Sequence, residues 1–164
     1  MSLLEQQNLL ARLYTDESLR RAFLSDPTGT AAQFGLSPTE IEDIERVLPD
    51  ELTGFAESLL RKRMNEVEKM LPLIKKALGA DFEPLFAKYV QTTPESKELK
   101  RIGDALAFCA FVSRETTGWI KGTAEFERGR IEFNSDRRNF VFKRLDGKYH
   151  VLLKVGKKRF RRVF

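Results

Sequence analysis

Apolar residues recur every three or four positions through the first two-thirds of the chain and every second position near its end. That change of period predicts helices followed by strands. Leu3, Leu4, Leu9, Leu10 and Leu13 mark a first helix over about 3–14. "TDES" opens a second through "LRRAFL". In "SDPTGTAAQFG" Asp26 is placed as N-cap, Pro27 as the first helical residue and Gly35 as the stop. "LSPTEIEDIERVL" repeats the device, with Ser37 and Glu40 at capping-box spacing around Pro38.

The segment from Asp50 to Gly79 reads as a spine. Leu60, Met64, Val67, Leu71, Ile74 and Leu78 form one stripe, and Pro72 within it should kink the helix near Glu68 to Leu71. "DFEPLFAKYV" predicts a helix capped by Asp81. "TTPESKELKRIGDALAFCAFV" predicts another, whose second half is apolar on nearly every side and therefore belongs in the middle of a bundle, against the spine. After Arg114 the glycines multiply. A helix is expected over about 117–128, then a turn and a strand in "GRIEF". Asp146-Gly147 between alternating runs is the signature of a type I′ hairpin, and Gly156 allows "KKRFRRVF" to return as a further strand. Phe140 and Phe142 share one side of their strand; Tyr149, Val151, Leu153 and Val155 share a face opposite Lys148, His150 and Lys154. The predicted fold is α+β: a six- or seven-helix body in 1–128, followed by a small antiparallel sheet of three or four strands within 129–164 that packs on it.

Charge sharpens this division. Residues 114–164 hold fifteen Lys or Arg against six Asp or Glu, a net +9, while the rest of the chain carries −4. The tail therefore meets something different from what the body meets. "ALAFCAFV", the longest apolar run, is too short to span a membrane. The N-terminus lacks the basic start of an export signal. With the lone Cys109, these features lead to the expectation of a cytoplasmic protein.

Catalytic signatures are absent from the sequence. His150 has no second histidine or cysteine pair beside it for a metal set. Cys109 in "AFCAFV" reads as a small buried hydrophobe with a raised pKa rather than a nucleophile. "GTAEFERG" lacks the ending and the preceding strand of a phosphate loop. A binding protein is expected, with no catalytic residue, no metal and no cofactor. Three ligand classes suit the basic end: nucleic acid, an anionic membrane surface, or a peptide added to a sheet edge. Basic residues on an edge strand also guard against aggregation, but lysine suffices for that. Arginine suits paired contacts to carboxylate or phosphate.

"LARLYTDESLRRAFLSDPTGTAAQFGLSPTEIEDI" resembles the opening of a helical domain found as partner of, or extension to, multinuclear non-haem iron-dependent oxidative enzymes that modify ribosomally made peptides. The resemblance continues through "FAESLLRKRMNEVEKMLPL", "GDALAFCAFV", Trp119, "EFERGRIEF" and "LLKVGKKRFRRVF". Residues 10–45 are also loosely similar to the small helical subunit of extradiol ring-cleaving dioxygenases. The first resemblance implies an accessory protein that is not itself an enzyme, recruits a precursor or leader peptide and docks on an iron-dependent oxidase. Physical reasoning, rather than that resemblance, places the peptide at the basic sheet edge. Arg137, Arg138, Arg159, Arg161 and Arg162 would supply charge, and Trp119, Phe140 and Phe160 would line the groove. A nucleic-acid-binding module built on the same basic strands is the alternative.

Overall fold

The computed structural model describes residues 3–46, 49–92 and 101–164, and its helices begin where the sequence supplies caps. After α1 (Leu3–Thr15), Asp16 accepts the Leu19 N–H at 3.0 Å and starts α2 (Glu17–Ser25). Asp26 does the same for the Gly29 N–H at 2.9 Å and starts α3 (Pro27–Ala32), with Pro27 where its missing N–H costs nothing. The Ser37 N–H donates to Glu40 at 2.9 Å at the head of α4 (Pro38–Glu45). The expected end of that helix, at Val47 and Leu48, lies outside the described residues, as does the expected helix start over 93–100.

The chain forms two compact units, residues 1–63 with 90–95 and residues 64–89 with 96–164. In the first, Leu9 and Leu13 of α1 pack with Phe23, Ile41, Ile44 and Leu52. Each such side chain contributes roughly 1.5–3 kcal/mol on leaving water. Leu52 belongs to α5 (Pro49–Met70).

In the second unit the spine does not merely kink. α5 ends at Met70, Leu71 adopts a non-helical backbone (φ −125°, ψ 54°), and α6 (Pro72–Leu78) starts afresh. Gly79, at φ 55°, stops α6, and Asp81 closes a short 3-10 turn before α7 (Phe82–Thr92). α8 (Arg101–Glu115) buries Ala105, Phe108, Cys109, Phe111 and Val112, as its all-round apolarity predicts. Phe108 lies 5.4, 5.1 and 5.3 Å from Phe82, Phe86 and Tyr89 of α7, all tilted or edge-on, the favourable arrangement for ring quadrupoles. The Tyr89 hydroxyl donates to buried Asp104 at 2.6 Å, so a polar atom enters this apolar layer already satisfied.

α9 (Gly118–Asn134) is longer than the glycines suggest. "GRIEF" continues the helix instead of forming a strand. A Cβ built at Gly129 would sit 3.2 and 3.3 Å from the two methyls of Val141, and one at Gly122 would sit 3.6 Å from Lys143. These glycines let a strand lie close on the helix; packing overrides their low propensity. The helix closes in a Schellman turn. Asp136 takes a left-handed backbone (φ 61°), its N–H points to Phe133 O at 3.4 Å, and the Arg137 N–H bonds Glu132 O at 2.9 Å.

The break at Leu71–Pro72 is answered from α9. Arg130 Nη2 donates to the Met70 carbonyl at 2.6 Å and to Glu127 Oε1 at 3.1 Å. Glu127 is fully buried. Burial pushes its carboxyl up from the ordinary value, and the Arg130 guanidinium and the Leu73 backbone amide oppose that push. A helix end and a helix start are thus held by one side-chain pair on the neighbouring helix.

Three antiparallel strands follow, β1 (Phe140–Leu145), β2 (Lys148–Val155) and β3 (Lys158–Val163), in the order β1-β2-β3. Asp146 (φ 49°) and Gly147 (φ 76°) give the expected turn with both central residues left-handed, and Gly156 (φ 59°) opens the second reversal. Val141 and Leu152 are buried with Phe126 and Phe133 of α9. The fold is α+β, a mostly helical chain with a C-terminal antiparallel sheet. Among the described residues no helix is long and apolar enough to cross a membrane.

Two glycines test the packing account. Gly54, exposed in α5 with nothing within 4 Å of a built Cβ, should gain about 0.5–1 kcal/mol on Gly54→Ala. Gly129→Leu should lose about 1–3 kcal/mol by overpacking against Val141. Urea unfolding measures both. For Glu127, the folded chain keeps its proton to higher pH than the unfolded chain does. Its contribution is therefore full below the ordinary glutamate value and is lost as pH rises through the raised one. Glu127→Gln should remove that loss, so the variant's stability should fall less steeply than the wild type's as pH rises above the ordinary glutamate range. Arg130→Met should destabilise by about 1–3 kcal/mol, because it takes from the Met70 carbonyl and the buried Glu127 carboxyl the donor they share.

Candidate binding surface

The two faces of the sheet differ in kind. The inner face, turned to α9, carries buried Val141 and Leu152 among long cations that are tied down. Lys143 pairs with Glu125. The Lys154 ammonium is bound by the Phe133 carbonyl at 2.5 Å and by Asp136, and lies 4.9 Å over the Phe133 ring. Arg159 reaches the same Asp136 at 3.1 Å, and Arg161 donates to Asn134 at 2.8 Å. The Lys154 ammonium first, and Arg159 beside it, hold the Asp136 carboxyl below its usual range. His150, half-buried, stacks obliquely 5.0 Å from Phe126.

The outer face is apolar. The register lines up Phe140, Leu153 and Phe160 in one row, and Phe142, Val151 and Arg162 in the next. Arg144 stands opposite Tyr149, whose backbone exchanges hydrogen bonds with Phe164 at 3.1 and 3.0 Å. Phe142 and Phe140 remain 55% and 53% exposed and Phe164 68%, values far from those of a covered sheet. Phe142 and Tyr149 stack at 5.5 Å, and the Arg144 guanidinium lies 5.5 Å over the Tyr149 ring.

β3 is an edge strand exposed at every position. The doubly bonded Tyr149–Phe164 pair fixes which backbone groups face β2: those of Phe164, Arg162, Phe160 and Lys158. The N–H and C=O groups of Arg159, Arg161 and Val163 consequently point outward along the edge. A further strand would find them there.

The residues expected to bind peptide are divided by this geometry. Phe160, Arg162 and Phe140 share the outer face. Arg159 and Arg161 lie on the other face, engaged with Asp136 and Asn134. Arg138 pairs with Glu132 at 3.2 Å, and Arg137 is exposed in the turn between α9 and β1. Trp119 is 58% exposed in the first turn of α9. Sequence reasoning missed Phe142, Tyr149, Leu153 and Phe164 as surface residues. Alternation had found their face but not which face the helix covers; the signal for that was the Gly122–Gly129 spacing, which marks the side where β1 approaches.

Cys109 is buried, and that burial pushes its thiol up from the ordinary value. Among the described residues no group of three or more His, Cys, Asp or Glu is placed to hold a metal ion. A depression beside the α5–α6 break is lined by Asn65, Glu68, Lys69, Pro72 and Lys75, and Glu68 and Lys75 pair across it at 3.1 Å.

Residues 49–114 match the family model described as SCO6045-like, C-terminal domain. The match runs from the start of α5 almost to the end of α8, so α9 and the sheet lie beyond it. No curated protein and no solved structure matches the chain.

The Asp136 cluster predicts a titration. The carboxyl-carbon resonance of Asp136 should shift at a pH below the ordinary aspartate range, and in Lys154→Met it should move back towards that range. An unchanged midpoint in the variant would assign the depression to something other than Lys154.

Proposed function

We propose that the protein is a non-catalytic accessory protein that captures an extended acidic peptide as an added strand along β3. One observation carries the reading: β3 is an uncovered sheet edge with the outward backbone groups of Arg159, Arg161 and Val163 on a strongly basic strand. Backbone pairing supplies affinity in such binding, and alternate side chains supply selectivity. On the outer side the incoming residues meet Lys158, Phe160, Arg162 and Phe164, which suits alternating apolar and acidic side chains. The resemblance of the helical segments to partners of iron-dependent oxidases suggests that the peptide is a ribosomal precursor or leader. It also suggests that the helical residues dock the oxidase that modifies it.

The test uses the edge itself. Arg161→Pro removes an outward N–H while keeping the β2–β3 bonds, which run through the neighbouring residues. A labelled ten-residue peptide repeating Val-Thr-Asp-Thr, which sets Val and Asp alternately on one face, titrated by fluorescence anisotropy, should bind the wild type. Arg161→Pro should weaken it roughly ten-fold, and Arg161→Gln much less. Failure of the wild type to bind this probe at low salt overturns the reading. An affinity that collapses by orders of magnitude between about 50 and 200 mM salt would point instead to a phosphate ligand.

A further inference from the structure

The outer face of the sheet asks for an occupant that strand addition along β3 does not provide. A fourth strand would flank β3 and leave Phe142, Tyr149, Val151 and Leu153 in water. An apolar sheet face is stable when another layer covers it, and the inner face already has α9. Exposed apolar patches of this kind mark interaction sites.

We propose that this face docks an amphipathic helix of a partner protein, with an apolar stripe flanked by acidic side chains. The arrangement of charge selects that occupant. Val151 and Leu153 of the middle strand form the centre, with Phe140 and Phe142 on one side and Phe160 on the other. Cations stand only at the perimeter: Arg144 at the end of β1, Lys158 at the start of β3, and Arg162 on the edge strand. An apolar centre with a charged rim is the anatomy of a protein interface. Single-stranded nucleic acid needs cations along its track and ring faces at the centre of the platform, where this sheet has aliphatic side chains. A second copy of the chain would bring one cationic rim against another.

This surface meets the β3 edge only at Phe160 and Arg162, and the experiment separates the two. The full chain is titrated with an 18-residue Leu/Ala/Glu amphipathic helix, the same helix with Lys in place of Glu, and a fifteen-nucleotide poly-dT strand. The acid-flanked helix should bind. Phe142→Ser and Leu153→Ser should each weaken it roughly ten-fold, while Arg161→Pro leaves it unchanged. Phe164→Ser, at the rim, provides a second variant if one of these fails to fold by circular dichroism. Binding of the Val/Asp strand probe should survive Phe142→Ser. The proposal is overturned if the acid-flanked helix does not bind or the Lys-flanked helix binds as well. Tighter poly-dT binding that Phe142→Ser abolishes, or sedimentation showing a dimer that Phe142→Ser dissolves, also overturns it.

Discussion

The second unit depends on a broken helix being held at its break. Pro72 takes away one donor and Leu71 leaves helical geometry, so the last carbonyls of α5 and the first amides of α6 lose their partners. Arg130 and Glu127 answer from one turn of α9, meeting the Met70 carbonyl and the Leu73 amide. Such a pair is a poor source of net stability, since desolvation offsets most of its attraction. Its value is positional. Sliding α9 by a turn would take the Met70 carbonyl and the buried Glu127 carboxyl away from the partners they have. The register of α9 against α6 is set this way, and α9 in turn carries the sheet.

The sheet inverts the usual assignment of charge. Lys143, Lys154, Arg159 and Arg161 are drawn inward to groups on α9 and the turn that closes it, while the rings of Phe140, Phe142, Tyr149 and Phe160 are left outside. The inward cations are long enough to reach past Val141 and Leu152 to the helix: Lys143 to Glu125, Lys154 to Phe133 O and Asp136, Arg159 to Asp136. The net +9 of the region therefore overstates the charge open to a ligand. What remains outside is sparse and peripheral, and a sparse cationic rim selects by orientation more than by bulk attraction.

The legible features were the local ones. Asp26-Pro27, Ser37-Pro38-Glu40 and Asp146-Gly147 each act within four residues, and each formed the cap or turn that its chemistry requires. The end of α9 was not legible. Gly129 lowers helix propensity locally, whereas its reason for being glycine lies in Val141, twelve residues on and in another element. The site was half legible for the same reason. Strand alternation separates two faces, but only the helix packed beneath tells which one is covered. Arg159 and Arg161 looked free because Asp136 and Asn134, their partners, belong to the end of a helix expected to stop before them.

The period of a β-strand lets one short element serve two partners. On β3 the outward backbone groups belong to Arg159, Arg161 and Val163, and they lie in the plane of the sheet. The outer side chains belong to Lys158, Phe160, Arg162 and Phe164, and they stand perpendicular to it. A peptide paired along the edge and a helix laid across the face would draw on different residues of the same strand and approach at right angles. Where they meet, at Phe160 and Arg162, each would bury surface that the other leaves open. Occupancy of the edge should then favour occupancy of the face, because a wider sheet gives the helix more apolar area to cover. Coupling of that kind is reciprocal: whatever the face does for the edge, the edge does for the face. On the proposed reading, the two-residue repeat of β3 would let the peptide be held more tightly once the second partner has docked, with no moving part.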